Sequence, residues 1–477
     1  MREPLNLEPL FPDRSTGEPL ASQLVRRLRG AIERGTLPAG TRMLGTRQLA
    51  KRLGLGRNTV AVAFEQLIAE GYFEARSGSG TYVTSAPMKR SAPRPLLRTP
   101  QVKSAEAFSP LRSLFEAAAG QGPLRPGMPD LAAFPRAAWI RSAREALDIY
   151  DGELGYSPAN GLPSLAQAIA LHVQQFRGIA AQPQQIVVVE GAQAGMHLAA
   201  TVLAAAGDAI AIEDPCYALA RAAFEARGLK LRAVSVDREG LDVDRLPSKV
   251  RFAFVTPTHQ FPLGGTLPLT RRLALLDWAK KQSAYIIEDD YDSEFTSKAR
   301  PLPALQSLDR EERVVYIGSF SKTLAPGIRL GYVIAPPHLA RAFRLARAAS
   351  SLGAAIHLQA TAATFIARGY LARHLRRMNV MYDRRRLILI EALRDLTSRG
   401  FELGPASTGL HVALMAKRRF NDRSLSSIDD HQRLVTLSSL CLRRRDCQGF
   451  VLGFTNGSDE EISRAASALA GLLRPRA

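Results

Sequence analysis

Cysteine is scarce in this sequence: Cys216, Cys441 and Cys447 are the only three in 477 residues, at spacings that suit neither a metal-ligand set nor a disulfide framework. A reducing cytoplasm is the expected compartment, and no metal site is expected. Uninterrupted apolar runs of about 18 residues are also missing, so no membrane-spanning helix is expected. The opening stretch, MREPLNLEPLFPDRSTGEP, carries acids and prolines without an apolar centre, which argues against a signal peptide. Acidic residues are few beside basic ones, 44 against 64, leaving a formal net charge of +20. Such a balance favours anionic partners, nucleic acid among them. Charge alone does not locate the contact, because clusters such as Arg341/Arg344/Arg347 and Arg384/Arg385/Arg386 lie far from the N-terminus. Internal repeats are absent as well.

What remains is ordinary for a globular chain: 46% hydrophobic and 23% charged residues, enough for a large core. The length suits two or three domains, and the texture changes twice along it. Between 17 and 83, Leu20, Leu24, Leu28 and Ile32 recur at helical spacing; RQLAKRLG forms a second helix ending at Gly54, and a third runs from about Arg57 to Glu70. ARSGSGTYV then reads as a hairpin. After it, Pro87, Pro93, Pro95 and Pro100 alternate with basic residues, the composition of an extended tether. From about 109 onward, helices alternate with the runs QQIVVVEG, DAIAIED, KLRAVSV, RFAFVTP, AYIIEDD and RVVYIGS. Runs apolar on both faces fit a parallel sheet buried between helices, whose ligands bind at the carboxyl ends of the strands. The expected division is a head over 1–83, a linker over 84–108 and a body over 109–477.

In the head, TRQLAKRLGLGRNTV has the spacing of helix, tight turn and second helix, which presents the start of the second helix to a DNA groove. Arg57, Asn58 and Thr59 fall in that first turn, with chemistry suited to base edges and phosphates. A small helical bundle with solvated arginines fits the same spacing. The segments PLASQLVRRLRGAIERGTLPAG, TRQLAKRLG, RNTV and LIAEGYFEARSGSGTYV, in this order, resemble the GntR family of winged-helix regulators. The resemblance implies double-stranded DNA as partner, contacted by Arg47, Arg57, Asn58 and Thr59 and by the wing around Gly78 and Gly80. Two departures are visible: Met43-Leu44-Gly45-Thr46-Arg47 stands where the family usually reads LPSTR, and Leu55-Gly56-Arg57 where it reads VSR. Each loses a serine hydroxyl that commonly binds phosphate.

In the body, IGSFSKTLAPGIRLGY puts Lys322 in a small-residue loop after an apolar strand, with Ser319, Ser321 and Arg329 near it to hold an anion. AYIIEDDYDSEF ends a strand on Asp289, with Tyr291 two residues on and pointing the same way. Three consecutive acids also suit a divalent metal or a solvated strand end. VVVEGAQAGMHL is a strand, glycine turn and helix, whose Ala192 and Gln193 N–H groups make an anion cradle, although such turns are common helix starts. Tyr217 follows a fourth strand end, where it either packs or stacks on a ring.

Taken together, these segments resemble the class I aminotransferases of fold type I, and RPGMPDLAAFP, LGYSPANGLPSLAQAIA and TPTHQFPLGG fit as well. A GntR-like head on such a body is similar to the MocR-type regulators. The fold class implied is α/β: an N-terminal winged helix-turn-helix plus a fold type I, pyridoxal phosphate-dependent aminotransferase-like domain. The resemblance implies pyridoxal 5′-phosphate as cofactor and a homodimer as assembly. By it, Lys322 takes the Schiff-base role, Asp289 pairs with the pyridine nitrogen, Tyr291 contacts the 3′ oxygen and Tyr217 stacks. Ser319, Ser321, Arg329 and the Ala192–Gln193 turn would hold the phosphate. The departures concern substrate. Val451 stands near the place of the arginine that clamps a substrate carboxylate, Phe261 replaces an asparagine before proline, with His259 and Gln260 as substitutes, and Leu219 stands where some relatives place arginine. Arg443, Arg444 and Arg445 read as a basic loop instead of a clamp. A cytoplasmic regulator responding to the cofactor, and to a small amine or amino acid, is the expected function. The alternative is a working aminotransferase with a vestigial head.

Overall fold

The computed structural model describes residues 10–84, 122–149, 155, 158–296, 302–429 and 432–473. The chain divides into two compact units, Met1–Val102 and Lys103–Ala477. Apart from Thr84, the linker expected over 84–108 lies outside the described residues.

The first unit builds its helices where apolar residues recur at helical spacing: α1 (Leu20–Glu33), α2 (Thr46–Leu53) and α3 (Arg57–Ala69). Leu24, Leu28 and Ile32 of α1, Leu49 and Leu53 of α2, and Val60, Phe64 and Leu67 of α3 close one core. Gly54 ends α2 in the left-handed conformation that a residue without Cβ adopts freely. Strands β1 (Phe73–Arg76) and β2 (Gly80–Val83) pair antiparallel and put Phe73 and Val83 into the same core. Phe73 meets Phe64 edge-on at 5.0 Å between ring centroids. The two family serines that this chain lacks would stand at the N-caps of α2 and α3, now Gly45 and Gly56, and neither cap has a side-chain hydrogen bond. Glycine caps cost a helix only a few tenths of a kcal/mol relative to serine, so both helices form without them.

In the second unit, all six expected runs become strands: β3 (Ile186–Val189), β4 (Ala209–Asp214), β5 (Lys230–Asp237), β7 (Phe252–Val255), β8 (Tyr285–Asp290) and β9 (Val314–Ser319). They join β6 (Gly240–Leu241) and β10 (Gly331–Ile334) in one sheet of order β3-β10-β9-β8-β7-β4-β5-β6. The expectation of a purely parallel sheet needs correcting. β10 runs antiparallel to both β3 and β9. Only residues 320–330 separate β9 from β10, a connection that holds two short helical turns, Phe320–Thr323 and Pro326–Ile328, and no full crossover. β5 also departs from the both-faces-apolar pattern: its burial alternates, because only the two residues of β6 lie beyond it. Two apolar clusters, one around Met196, Phe224, Phe254 and Ile317 and one around Val236, Leu275 and Ile286, draw on the strands and the helices that pack with them. A second sheet, Phe401–Leu403, His411–Ala416, Gly449–Gly453 and Val435–Thr436 in spatial order, is antiparallel throughout. Among the described residues no helix is long and apolar enough to cross a membrane.

Candidate functional site

Five strand ends deliver the side chains singled out in the body. β3 leads through Glu190 and Gly191 into the helix Ala192–Leu203; β4 leads to Tyr217, β7 to His259, β8 ends on Asp289 and Asp290, and β9 ends on Ser319 just before Lys322. Parallel strands necessarily bring such ends to one edge of the sheet, which is why residues scattered in sequence gather there.

Lys322 is partly buried, and its Nζ donates to the carbonyl of Gly127 at 2.5 Å. Burial lowers the pKa of its ammonium, with Asp292 and Asp289 pulling the other way and Arg125 adding to the depression. Gly127 belongs to a strap, residues 122–130, held by several other bonds. Leu124 O accepts from Gly453 N at 2.9 Å, Met128 O from Thr455 Oγ1 at 2.5 Å, and Gly122 O from Asn456 Nδ2 at 2.9 Å. Asp130 pairs with the Arg385 guanidinium at 2.9 Å.

Asp289 is buried, and its Oδ1 has no hydrogen-bond partner among the described residues. Burial, then the neighbouring Asp290, pushes its carboxyl from 3.8 up to about 8, against the opposing pull of Lys322. A buried carboxylate oxygen without a donor is costly, which is why this carboxyl keeps its proton in the empty pocket, and an N–H brought in from outside would let it ionise. Tyr217 packs edge-on against Phe261 at 5.8 Å, and burial with the Asp289 charge pushes its phenol up to about 12.

The phosphate side is built on the Gly191 turn. Gly191 has φ +96, and a Cβ there would stand 3.3 Å from the Arg329 guanidinium, whose Nη2 donates to Glu190 O at 2.7 Å. Ser319 caps the next short helix by accepting from Ser321 N at 3.1 Å, and its own O–H proton remains free to donate. Gln193 gives Nε2 to Leu219 O at 2.8 Å and leaves a buried Oε1 without a partner among the described residues. Backbone N–H groups at a helix start, a guanidinium and a hydroxyl together fit a phosphate monoester. The unpartnered Asp289 oxygen fits the ring N–H of a pyridinium. The residues present therefore suit pyridoxal phosphate.

Several features were not foreseen. Tyr291 donates its hydroxyl to His259 O at 2.9 Å and lies 3.0 Å from His259 Nδ1; that nitrogen meets Asp292 at 2.9 Å, and the His411 ring packs on His259 at 4.4 Å. The hint in sequence was His259 itself; Asp292 stands inside AYIIEDDYDSEF without a role of its own there, and His411 carries no motif. Of the two residues proposed to stand in for the missing asparagine, Gln260 is consumed by Glu213, Pro215 O and Leu263 N, which leaves His259 facing the site. Val451 is fully buried inside its strand, with a cluster that includes Leu263 and Leu437. The basic loop serves the fold: the Leu442, Arg443 and Arg444 N–H groups converge on the Asp214 carboxylate at 2.7–3.0 Å. His259, Asp292 and His411 are grouped closely enough for a metal, yet His259 Nδ1 already serves Asp292 and His411 Nε2 already serves Pro262 O. We read the group as a hydrogen-bond network.

Gly409 makes room for that network. Its φ is +78, and a Cβ there would be driven into the His259 ring and close to Asp292. Gly409→Ala should therefore destabilise the body by about 2–4 kcal/mol, from left-handed strain plus overpacking, read as a fall in urea midpoint.

In the head, Arg47, Arg57 and Asn58 are exposed and Thr59 half-buried in the first turns of α2 and α3, with Gly78 and Gly80 exposed at the tip of the β1–β2 hairpin. This is the arrangement of a helix start and a wing offered to a duplex.

Over residues 20–83 the chain matches the family described as bacterial regulatory proteins, gntR family, and over 128–434 that described as aminotransferase class I and II. It is 35% identical to the probable rhizopine catabolism regulatory protein MocR of Rhizobium meliloti, across 95% of this chain and 93% of that one. Identity to the pyridoxine biosynthesis transcriptional regulator PdxR of Corynebacterium glutamicum is 33%, across 86% and 85%. Among solved structures, the multiple substrate aminotransferase of Thermococcus profundus aligns with a TM-score of 0.72 at 27% identity, across 78% of this chain and 97% of that one.

Proposed function

The chain belongs to the MocR-type transcriptional regulators, a gntR-family head and an aminotransferase-class body in one polypeptide, and from that premise we propose that the body binds pyridoxal 5′-phosphate and reports its presence to the DNA-binding head. An amine or amino acid reaching the same site is the second signal. When bound, the cofactor supplies an electron sink and a reactive aldehyde. In this reading Lys322 bonds it, Asp289 holds the proton of the ring nitrogen, Tyr291 donates to the 3′ oxygen and Tyr217 stacks. Ser319, Ser321, Arg329 and the Ala192–Gln193 N–H groups hold the phosphate. The observation that carries the reading is the Asp289 oxygen, buried, without a donor, and within the electrostatic reach of Lys322.

Arg47, Arg57, Asn58, Thr59 and the wing glycines Gly78 and Gly80 then serve the duplex, and a cytoplasmic homodimer presents two heads to two half-sites. The test is a gel shift with the intergenic DNA upstream of the chain's own reading frame, with and without pyridoxal phosphate. A specific complex whose affinity changes with cofactor is expected; no specific shift in either condition defeats the reading. Arg57→Ala should weaken the specific complex about tenfold and lower its salt slope by about 1. Fluorescence anisotropy across a salt series measures both.

A further inference from the structure

Behind the Tyr291 hydroxyl stands a histidine–aspartate pair that cofactor binding as described above does not use. His259 Nδ1 lies 2.9 and 3.1 Å from the two oxygens of Asp292 and 3.0 Å from the Tyr291 oxygen. Asp292 is itself anchored by Leu410 N at 3.0 Å, and both His259 and Asp292 are almost wholly buried. On the other side of the imidazole, Nε2 is buried and has no partner among the described residues. A buried N–H with no acceptor costs more than a bare lone pair facing apolar atoms, and a carboxylate faces Nδ1, so the proton belongs on Nδ1. That single N–H is then shared between Asp292 and the tyrosine oxygen, while the tyrosine proton points to the His259 carbonyl. The hydroxyl is thus held from two directions, by one donor and one acceptor of the same residue.

We propose that Asp292 and His259 are positioning residues: with Nδ1–H fixing the Tyr291 oxygen in place, its one proton turns from the His259 carbonyl to the 3′ oxygen of the pyridoxal ring when that oxygen arrives. The proposal rests on the cofactor reading above and adds two residues to it. The surroundings keep the proton on the tyrosine. Burial, then the charges of Asp292, Asp289, Glu213 and Asp290, all hold the Tyr291 phenol well above 10.0. His411, packed on the other face of the imidazole, is pushed well below 6.5 by burial and by His259. Tyr291 therefore meets a ligand as a neutral donor. Without the Asp292–His259 pair the tyrosine oxygen would lose the N–H that anchors it, and its donation would lose aim.

The test compares two ligands in each protein: pyridoxal phosphate and its analogue lacking the 3-hydroxyl. A residue that merely supports the fold weakens both alike, so the informative quantity is the ratio of their dissociation constants, measured by fluorescence quenching on the full chain. The parent should prefer pyridoxal phosphate by about tenfold or more, the worth of a hydrogen bond to a charged oxygen. Tyr291→Phe should remove most of that preference. Asp292→Asn, which keeps an acceptor for Leu410 N, and His259→Gln should each lose a large part of it, and neither should lower it further when combined with Tyr291→Phe. Should Asp292→Asn fail to fold, His259→Gln carries the test alone. A parental ratio in both variants overturns the proposal and leaves the cofactor reading standing. A parent that binds neither ligand overturns both.

Discussion

Purified Lys322→Ala should be colourless, show no visible band on addition of pyridoxal phosphate, and bind its operator with an affinity that no longer changes with cofactor. The parent should be yellow and responsive. This is the largest effect the body offers, because it removes the bond that the rest of the pocket only orients. Burial favours the uncharged amine of Lys322, which is the nucleophilic form. The same nitrogen is the donor that holds Gly127 O at 2.5 Å. Engaging the cofactor's aldehyde would use up N–H protons of that nitrogen, leaving at most one, so its bond to Gly127 O would be weakened or lost. Occupancy of the site is thereby tied to the strap 122–130. A ligand shifts such an equilibrium only by binding one arrangement better than the other, and the lost bond supplies that difference. Hydrogen exchange at the strap amides should rise when the parent takes up cofactor. In Lys322→Ala it should be high from the start and insensitive to cofactor. Retained colour in the variant, or a strap indifferent to cofactor in the parent, would sink this account.

Much of the fold could be read from the sequence because its signals are local. Six apolar runs became six strands, and Gly54 ended a helix where a left-handed residue was needed. The candidate residues Lys322, Asp289, Tyr291 and Tyr217 were legible for a related reason: in a parallel sheet, chemistry follows the end of a strand, and each stands at or just after one. What stayed hidden has no local signature. Gly127 acts through its carbonyl, which every residue possesses. Asp292 and His411 reach His259 only through tertiary packing across two sheets. β10 is a four-residue strand whose direction depends on the short connection before it. Gln260 and His259 looked equivalent as neighbours, but successive side chains diverge, and one turned toward Glu213 while the other turned toward Tyr291.

The second large effect is a trade between stability and binding at one carboxyl. Asp289→Asn should weaken pyridoxal phosphate binding by roughly 10- to 100-fold, the usual worth of a charge-assisted hydrogen bond in a dry site. The cofactor-free variant should nevertheless melt higher than the parent at pH 8. In the folded body the Asp289 carboxyl is raised from 3.8 to about 8, by burial first and by Asp290 next. The folded chain then holds that proton more tightly than the unfolded chain does. The stability this contributes is fully present below about pH 4 and is lost as pH climbs through about 8. Glu213 and Glu288, both pushed by burial to about 7, fall away within the same window. Asparagine has no proton to lose, so the variant's stability should decline less steeply between pH 4 and 8, and the two curves should separate most at the alkaline end. Saturating cofactor should reverse the order at pH 8, because its ring nitrogen gives the parent's carboxylate the partner it lacks and gives the amide much less. Thermal melts of both proteins at pH 5 and pH 8, with and without pyridoxal phosphate, contain the whole argument. Parallel pH curves for the two cofactor-free proteins would show that Asp289 is ionised and satisfied in the empty pocket, and the reason for assigning it to the pyridine nitrogen would be gone.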